Sequence, residues 1–302
     1  MDEKGRVVMK EDMLRDLAAR RRVLIAVYAL TVAAYVTAIV WVVFNMTVSL
    51  WIVNFTTLFY VFVVRRLDKK NNETFAKDNL LLTSGSKLED IQIQRKSKVN
   101  QDTVRSLKLF PLRSTGVAVV GGLGMIGRRK QKQVQACEVT ICYEPKESGG
   151  KKKLEMRGGL WLDVKLAKDS GQHLVLVQKD ALDGDASPDF YREQGLEELK
   201  LQWRGLQDGF NFYGSPDSTS KTVDLFARSC IDLVERSKKM KGKLLVQVRR
   251  DHLCAFVTGR SLVFSTPILK PVTEEILKYD RLPELAAMLE MARTWSNDCT
   301  PN

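Results

Sequence analysis

Three glycines in the run VAVVGGLGMIG, namely Gly122, Gly124 and Gly127, are spaced G-x-G-x-x-G directly after an apolar stretch. That spacing lets a backbone wrap a pyrophosphate at the start of a helix, with Arg128 or Arg129 next in line to meet phosphate. The surroundings are poor for a dinucleotide site. Only a short polar stretch separates Gly127 from the next strand-like run, too little for the crossover helix of a βαβ unit, and no alternating strand and helix series follows. A glycine-rich bend or an apolar loop accounts for the same residues.

Metal and nucleophile chemistry have few carriers. The chain holds two histidines, His173 and His252, and five cysteines, Cys137, Cys142, Cys230, Cys254 and Cys299, with no CxxC pair. His252 and Cys254 fall on one face of a strand, yet two in-line donors do not complete a coordination shell. No metal and no other cofactor is therefore expected, and the cysteines read as reduced thiols of a cytosolic domain. Asp183, Asp185 and Asp189 lie in a polar stretch lacking the glycine and terminal glutamate of a calcium loop. No local signature pairs a cysteine with a histidine, so no catalytic residue is assigned, and whether the chain is an enzyme stays open.

The cations are more telling. Formal charge is +12, with clusters at residues 128–132, 151–153 and 238–243 that could meet anionic phosphate. Lysines at a helix end complement its dipole and lysines in a hairpin turn are usually solvated, so two of these clusters have local explanations. No aromatic-rich basic motif accompanies them, which disfavours nucleic acid as a partner.

The elements that must position these residues begin with an apolar run. Between Val23 and Val64 there is no charged residue, and Asn45-Met46-Thr47 interrupts the run near its middle, leaving a spanning length on each side. The first stretch is longer than a signal-peptide core and has no small-x-small cleavage site, so it is expected to be retained. Lys4, Arg6, Lys10, Arg15, Arg20, Arg21 and Arg22 precede the hairpin, Arg65, Arg66, Lys69 and Lys70 follow it, and the turn carries no cation. That asymmetry puts both termini in the cytoplasm. It also makes Arg20, Arg21, Arg22, Arg65, Arg66, Lys69 and Lys70 the residues expected to touch lipid head groups. Asn54, Thr56 and Thr57 are read as helix-packing residues, since a transport path would show an intramembrane charge.

The remainder reads as an α+β domain. Strands are expected over Val134–Tyr143 and Leu154–Ala167, joined through EPKESGGKKK, then over His173–Gln178 and 208–213. A helix capped by Ser218 or Thr219 carries Val223, Phe226, Cys230 and Leu233 at helical spacing and closes at Gly242. Lys243–Arg249 and His252–Thr258 form a second hairpin, Leu262–Phe264 reads as a further strand, and an amphipathic helix opened by Pro283 ends the chain. The expected plan is a cytoplasmic N-terminal helix (1–22), a transmembrane helical hairpin (23–64), a juxtamembrane stalk (65–82) and a cytoplasmic α+β domain (83–302).

Several blocks carry a family resemblance: Leu109-Phe110-Pro111, the glycine-spaced stretch to Gly127, Val134–Tyr143, Arg157-Gly158-Gly159-Leu160-Trp161-Leu162-Asp163 with Gly171 following, Phe212-Tyr213-Gly214-Ser215-Pro216-Asp217, and KLLVQVRRDHLCAFVTG followed by Leu262, Phe264 and Pro267-Ile268-Leu269. By this pattern the chain resembles the bacterial family called domain of unknown function 3137. Members of that family commonly carry two N-terminal membrane spans before a cytoplasmic domain. VAVV stands where acidic residues of the family would be expected near Gly116, and the Gly158 block has an additional glycine. The resemblance implies a multi-pass protein of the bacterial plasma (inner) membrane and supplies no activity. The expected function is a membrane-anchored interaction or scaffold module that binds anionic lipid or a protein partner, self-association included. The alternative is a nucleotide-binding enzyme or sensor using Gly122, Gly124 and Gly127.

Overall fold

The computed structural model describes residues 3–97, 99, 101–110, 119–130, 132–143, 155–181, 186–200, 206, 209–239, 242–263 and 273–298. The chain divides into two compact units, one made of Met1–Thr83 with Val263–Arg281, the other of Ser84–Leu262 with Leu282–Asn302. The stalk expected over 65–82 thus belongs to a unit completed by a segment almost two hundred residues further on.

The first unit is helical. Helix α1 (Glu3–Trp41) runs without a break from the basic N-terminal segment through the first apolar stretch. After a turn, Asn45 caps α2 (Met46–Phe59), its Oδ1 accepting from the Val48 amide at 3.2 Å. A π-helical turn, Tyr60–Val64, then passes directly into α3 (Arg65–Ser84). Two helical stretches, Lys10–Trp41 and Met46–Ser84, are long and apolar enough to cross a membrane by length and composition. Their large apolar side chains point away from the protein: Leu30 is 64% exposed, Ile39 70% and Phe62 69%.

Away from the apolar stretch, this unit has a small core of its own. Leu17 of α1, Phe75 of α3 and Leu277 of a short helix α7 (Glu274–Lys278) are buried together, with Leu14, Leu82 and Ile276 against them. Asn79 is fully buried and donates through Nδ2 to the carbonyls of Leu277 at 2.7 Å and Tyr279 at 2.9 Å. It thereby closes the C-terminal end of α7, whose last carbonyls have no intrahelical partner. Lys10 forms an ion pair with Glu274, tying α1 to the start of the same helix.

The second unit is built on a nine-stranded antiparallel sheet in the order β1-β2-β3-β4-β9-β8-β5-β7-β6. Its strands are β1 (Glu89–Gln94), β2 (Val119–Arg129), β3 (Lys132–Tyr143), β4 (Glu155–Lys165), β5 (His173–Gln178), β6 (Glu197–Glu198), β7 (Phe210–Gly214), β8 (Leu244–Arg249) and β9 (His252–Thr258). Alternation along the strands divides the core into two layers. On one face Trp161, Val175, Leu245 and Phe256 pack beneath α4 (Gln101–Leu107) and α5 (Ala186–Arg192), with Tyr191 of α5 stacked on Tyr213. On the other, Phe212 stacks on Phe226 of α6 (Ser220–Lys239), which in turn meets Trp295 of α8 (Pro283–Asp298) edge on. Glu284, fully buried in the first turn of α8, receives Arg260 Nε at 2.9 Å.

The α+β content, the antiparallel pairing and the two long apolar N-terminal helices agree with the sequence reading. The hairpin β8–β9, strand β5 and helices α6 and α8 fall where alternation and capping put them, and Thr219 Oγ1 accepts from the Thr222 amide ahead of α6. Leu262 and Val263, expected to begin a strand, are in none. The turn at 144–153, Asp183, Asp185, Pro111, Phe264 and Pro267–Leu269 lie outside the described residues.

Candidate functional site

In the paired helices, contact steps down from the turn: Ser49 Oγ donates to the Ala38 carbonyl at 2.6 Å, Tyr35 and Thr57 share a hydrogen bond at 2.9 Å, and Tyr28 meets Tyr60 edge on. This antiparallel register sets Arg20, Arg21 and Arg22 of α1 level with Arg65 and Arg66 of α3, and Lys69 and Lys70 follow one turn on. All seven cations named from the sequence therefore gather in one collar. Arg65, Arg66, Lys69 and Lys70 are exposed, and Arg20 is held by Asp16 at 2.7 Å. From the collar to Trp41 the helix runs for about 30 Å at 1.5 Å per residue, the thickness of a bilayer's hydrocarbon core. The π-turn at Tyr60–Val64 marks the point where the apolar side chains give way to cations. Thr56 is buried and Thr57 is engaged by Tyr35, whereas Asn54 is exposed.

Gly122, Gly124 and Gly127 are placed elsewhere and differently: all three lie within strand β2, paired to β3 and followed by a tight hairpin rather than a helix. No helix N-terminus follows them to hold a phosphate. Their small size has a packing reason. Around a β-bulge between Gly121 and Gly124, the Ser97 amide donates to the Gly122 carbonyl at 2.7 Å, and the Ser97 segment lies against the strand. A Cβ on Gly124 would overlap the Ser97 side chain and approach Cys137 Cβ to 2.8 Å; one on Gly122 would meet Glu138 Cβ at 2.9 Å.

The basic cluster at 128–132 forms the tip of the β2–β3 hairpin, with Lys130 in the left-handed region at φ 48°. Beside it is a cavity of about 130 Å³ with Val134, Val164, Leu289 and Ala292 as walls and Arg129, Lys130, Lys132 and Arg293 around it. Burial, and then the neighbouring Lys130 charge, lower the pKa of the Lys132 amine from its ordinary value. Arg293 is paired with Glu290. An apolar recess ringed by cations suits an anion that carries a short apolar portion. In the other described cluster, Lys243 Nζ donates to the Asp180 carbonyl at 2.7 Å, which is a structural use of that charge.

Among the described residues, one set of donors could ligate a metal: Asp163 of β4 with His252 and Cys254 of β9. The sequence showed the pair on β9 and missed the carboxylate, because only the register of β4 against β9 puts Asp163 opposite Cys254. Asp163, by hydrogen bonding, raises the His252 pKa, and burial raises that of the Cys254 thiol. His173 is different: burial, with Arg249 and Lys108 adding, lowers its pKa to about 3 and keeps it neutral.

No family model matches the chain, and no curated protein matches it in sequence. Among solved structures it is similar to the crystal structure of the mycobacterial trehalose monomycolate transport factor A, TtfA, with a TM-score of 0.35 and 10% identity over 75% of this chain and 96% of that one. A likeness of that degree assigns neither fold nor activity.

Proposed function

We propose that this chain is a membrane-anchored interaction module of the kind its resemblance to the domain of unknown function 3137 family implies. In this reading the α1–α2 hairpin spans the plasma membrane with both ends cytoplasmic, and the α+β unit serves as the binding part. The observation that carries the reading is the apolar pair itself. Side chains such as Leu30, Ile39 and Phe62 lie outward over a membrane-thick length that ends at a collar of seven cations. In water such a surface would be a large aggregation liability, and lipid removes that penalty. The preferred ligand is an anionic phospholipid, because the collar and the cation-ringed cavity beside β2 and β3 both offer arginine and lysine to phosphate. No residue is assigned a catalytic role.

The test uses the intact protein in its native membrane, followed by purification in mild detergent and mass spectrometry of what travels with it. The protein should stay in the membrane pellet through alkaline carbonate extraction, and anionic phospholipid should co-purify. Replacing Arg65, Arg66, Lys69 and Lys70 together by glutamine should cut the retained anionic lipid severalfold, since cations near the surface attract anionic lipid. Release into the carbonate supernatant would overturn the anchor. Retention of a stoichiometric protein without anionic lipid would redirect the module to a protein partner.

A further inference from the structure

We propose that Asp163, His252 and Cys254 form a binding site for one zinc ion, held by a carboxylate oxygen, the imidazole Nδ1 and the thiolate sulfur. The inference is independent of the membrane reading. Its basis is a coincidence of three unlike donors at one point of the sheet. Asp163 is the β4 residue directly opposite Cys254 in the β4–β9 ladder, and His252, two residues before Cys254, shares its face. Asp163 Oδ1 lies 2.9 Å from His252 Nδ1 and 3.3 Å from Cys254 Sγ, and the three donor atoms all fall within 4.8 Å of one another. Zinc bonds of 2.0 to 2.3 Å in a tetrahedron set neighbouring donors about 3.5 Å apart, so shifts of a few tenths of an ångström to about one would seat the ion.

The donor types choose the metal. A thiolate and an imidazole reject magnesium and calcium, which take oxygen, and a mixed oxygen, nitrogen and sulfur set is what zinc accepts. Charge agrees as well: one carboxylate, one thiolate and a neutral imidazole balance a divalent cation at a place where Cys254 is fully buried and the Asp163 side chain is only 12% exposed. The next shell is present too. Asp251 Oδ1 stands 3.6 Å from His252 Nε2 and is itself held by Lys165 at 3.3 Å, so a carboxylate faces the far side of the ring and favours a proton on Nε2. That leaves Nδ1 as the donor.

A second observation adds to the triad. Gln247 sits directly opposite Cys254 on β8 and is fully buried; its Nε2 donates to the Leu107 carbonyl at 2.6 Å, but its Oε1 has no hydrogen-bond partner. A buried amide oxygen left open beside a three-donor set is a neutral group for the fourth position, which water would otherwise fill. The His252 side chain is 22% exposed and gives the ion its way in. Bound there, zinc would pin β4 to β9 at the middle of the sheet and add its binding free energy to folding.

The probe is cobalt(II) added to the intact, metal-depleted protein under a phosphine reductant. One equivalent should produce sulfur-to-cobalt charge-transfer absorption with the visible bands of four-coordination, and zinc should bleach both. Cys254→Ser should abolish the charge-transfer band, Asp163→Asn and His252→Ala should each weaken cobalt binding by tenfold or more, and Cys137→Ser should leave the band intact. If Cys254→Ser does not fold, His252→Ala, at a partly exposed position, decides alone. An absent charge-transfer band in the wild type, or one that persists unchanged in the Cys254 or His252 variant, would overturn the site.

Discussion

Leu30 and Val246 are both large aliphatic residues in regular structure, yet the first is 64% exposed on α1 and the second fully buried in the sheet. The two units use the same residue types in opposite directions. In the sheet unit, successive side chains point to opposite faces, and the central strands β5, β8 and β9 are buried on both, between helices that remove them from water. In the helical unit, apolar residues run on all sides over the length of a span, and few of them find protein to cover them. Length separates the two cases where composition does not: the short apolar runs of the central strands are covered by helices of their own unit, whereas the long apolar surface of α1 and α2 finds little protein to cover it.

If the sheet unit depends on internal satisfaction, its largest single weakness is the buried carboxylate of Glu284. Glu284→Ala removes the acceptor of Arg260 Nε from a fully buried position, and breaking a buried ion pair costs about 3 to 5 kcal/mol. Denaturant unfolding followed by β-sheet circular dichroism should show that loss. The membrane partition of the α1–α2 hairpin should be untouched, and a variant that lost both together would deny that the two units stand on different physics.

Next in size is a pair of glycines on the same sheet. Gly124→Ala forces a Cβ into the Ser97 side chain and against Cys137 Cβ, an overpacking expected to cost about 2 kcal/mol. Gly158→Ala meets only Thr140 Oγ1, at 3.9 Å, and should stay within about 0.5 kcal/mol. Equal effects would show that the glycines of β2 are not there for the Ser97 segment.

How much of this was legible in the sequence follows the same division. The apolar run, its central break at Asn45 and the flanking cations are local signals, and α1 and α2 lie where they indicated. Strands β5, β8 and β9 and helices α6 and α8 were legible because each has a complete local period. Strand β2 was not, since glycines at four of its eleven positions erase the alternation that Leu123 and Met125 would show. Asp163 was invisible as a partner of His252 and Cys254 for another reason. Register between β4 and β9 is decided by long-range pairing, and Asp163 and Cys254 stand 91 positions apart in the chain. The junction of Leu277 with Leu17 and Phe75 is of the same kind: nothing within α7 announces that its partner lies near the N-terminus.

That junction gives the helical unit a protein core after all, and Asn79→Ala should sharpen the contrast. The substitution withdraws a buried amide from the carbonyls of Leu277 and Tyr279, and leaving such acceptors unsatisfied costs about 1 to 2 kcal/mol. The effect should appear as faster proteolysis within 273–281 while the sheet unit's unfolding is unchanged.

The smallest expected effect is a titration in the same core. Burial pushes the Asp78 carboxyl up to about 6 from its ordinary 3.8; Asp16 also raises it, while Lys77 and Arg20 act against the shift. A carboxyl whose pKa is raised by folding binds its proton more tightly in the folded state. Stability of the α1–α3 packing should therefore increase as pH falls from about 7 towards 4, the reverse of the usual carboxylate trend. His252 on the sheet also has a raised pKa and loses its contribution as pH rises, so the wild-type slope contains both units. Asp78→Asn isolates the helical share: it should flatten part of the slope and stabilise the protein at pH 8 by about 1 kcal/mol, allowing for solvent around a half-buried group. Melting curves of both proteins at pH 5 and pH 8 supply the comparison, and a variant that parallels the wild type at both would move the titration out of the helical core.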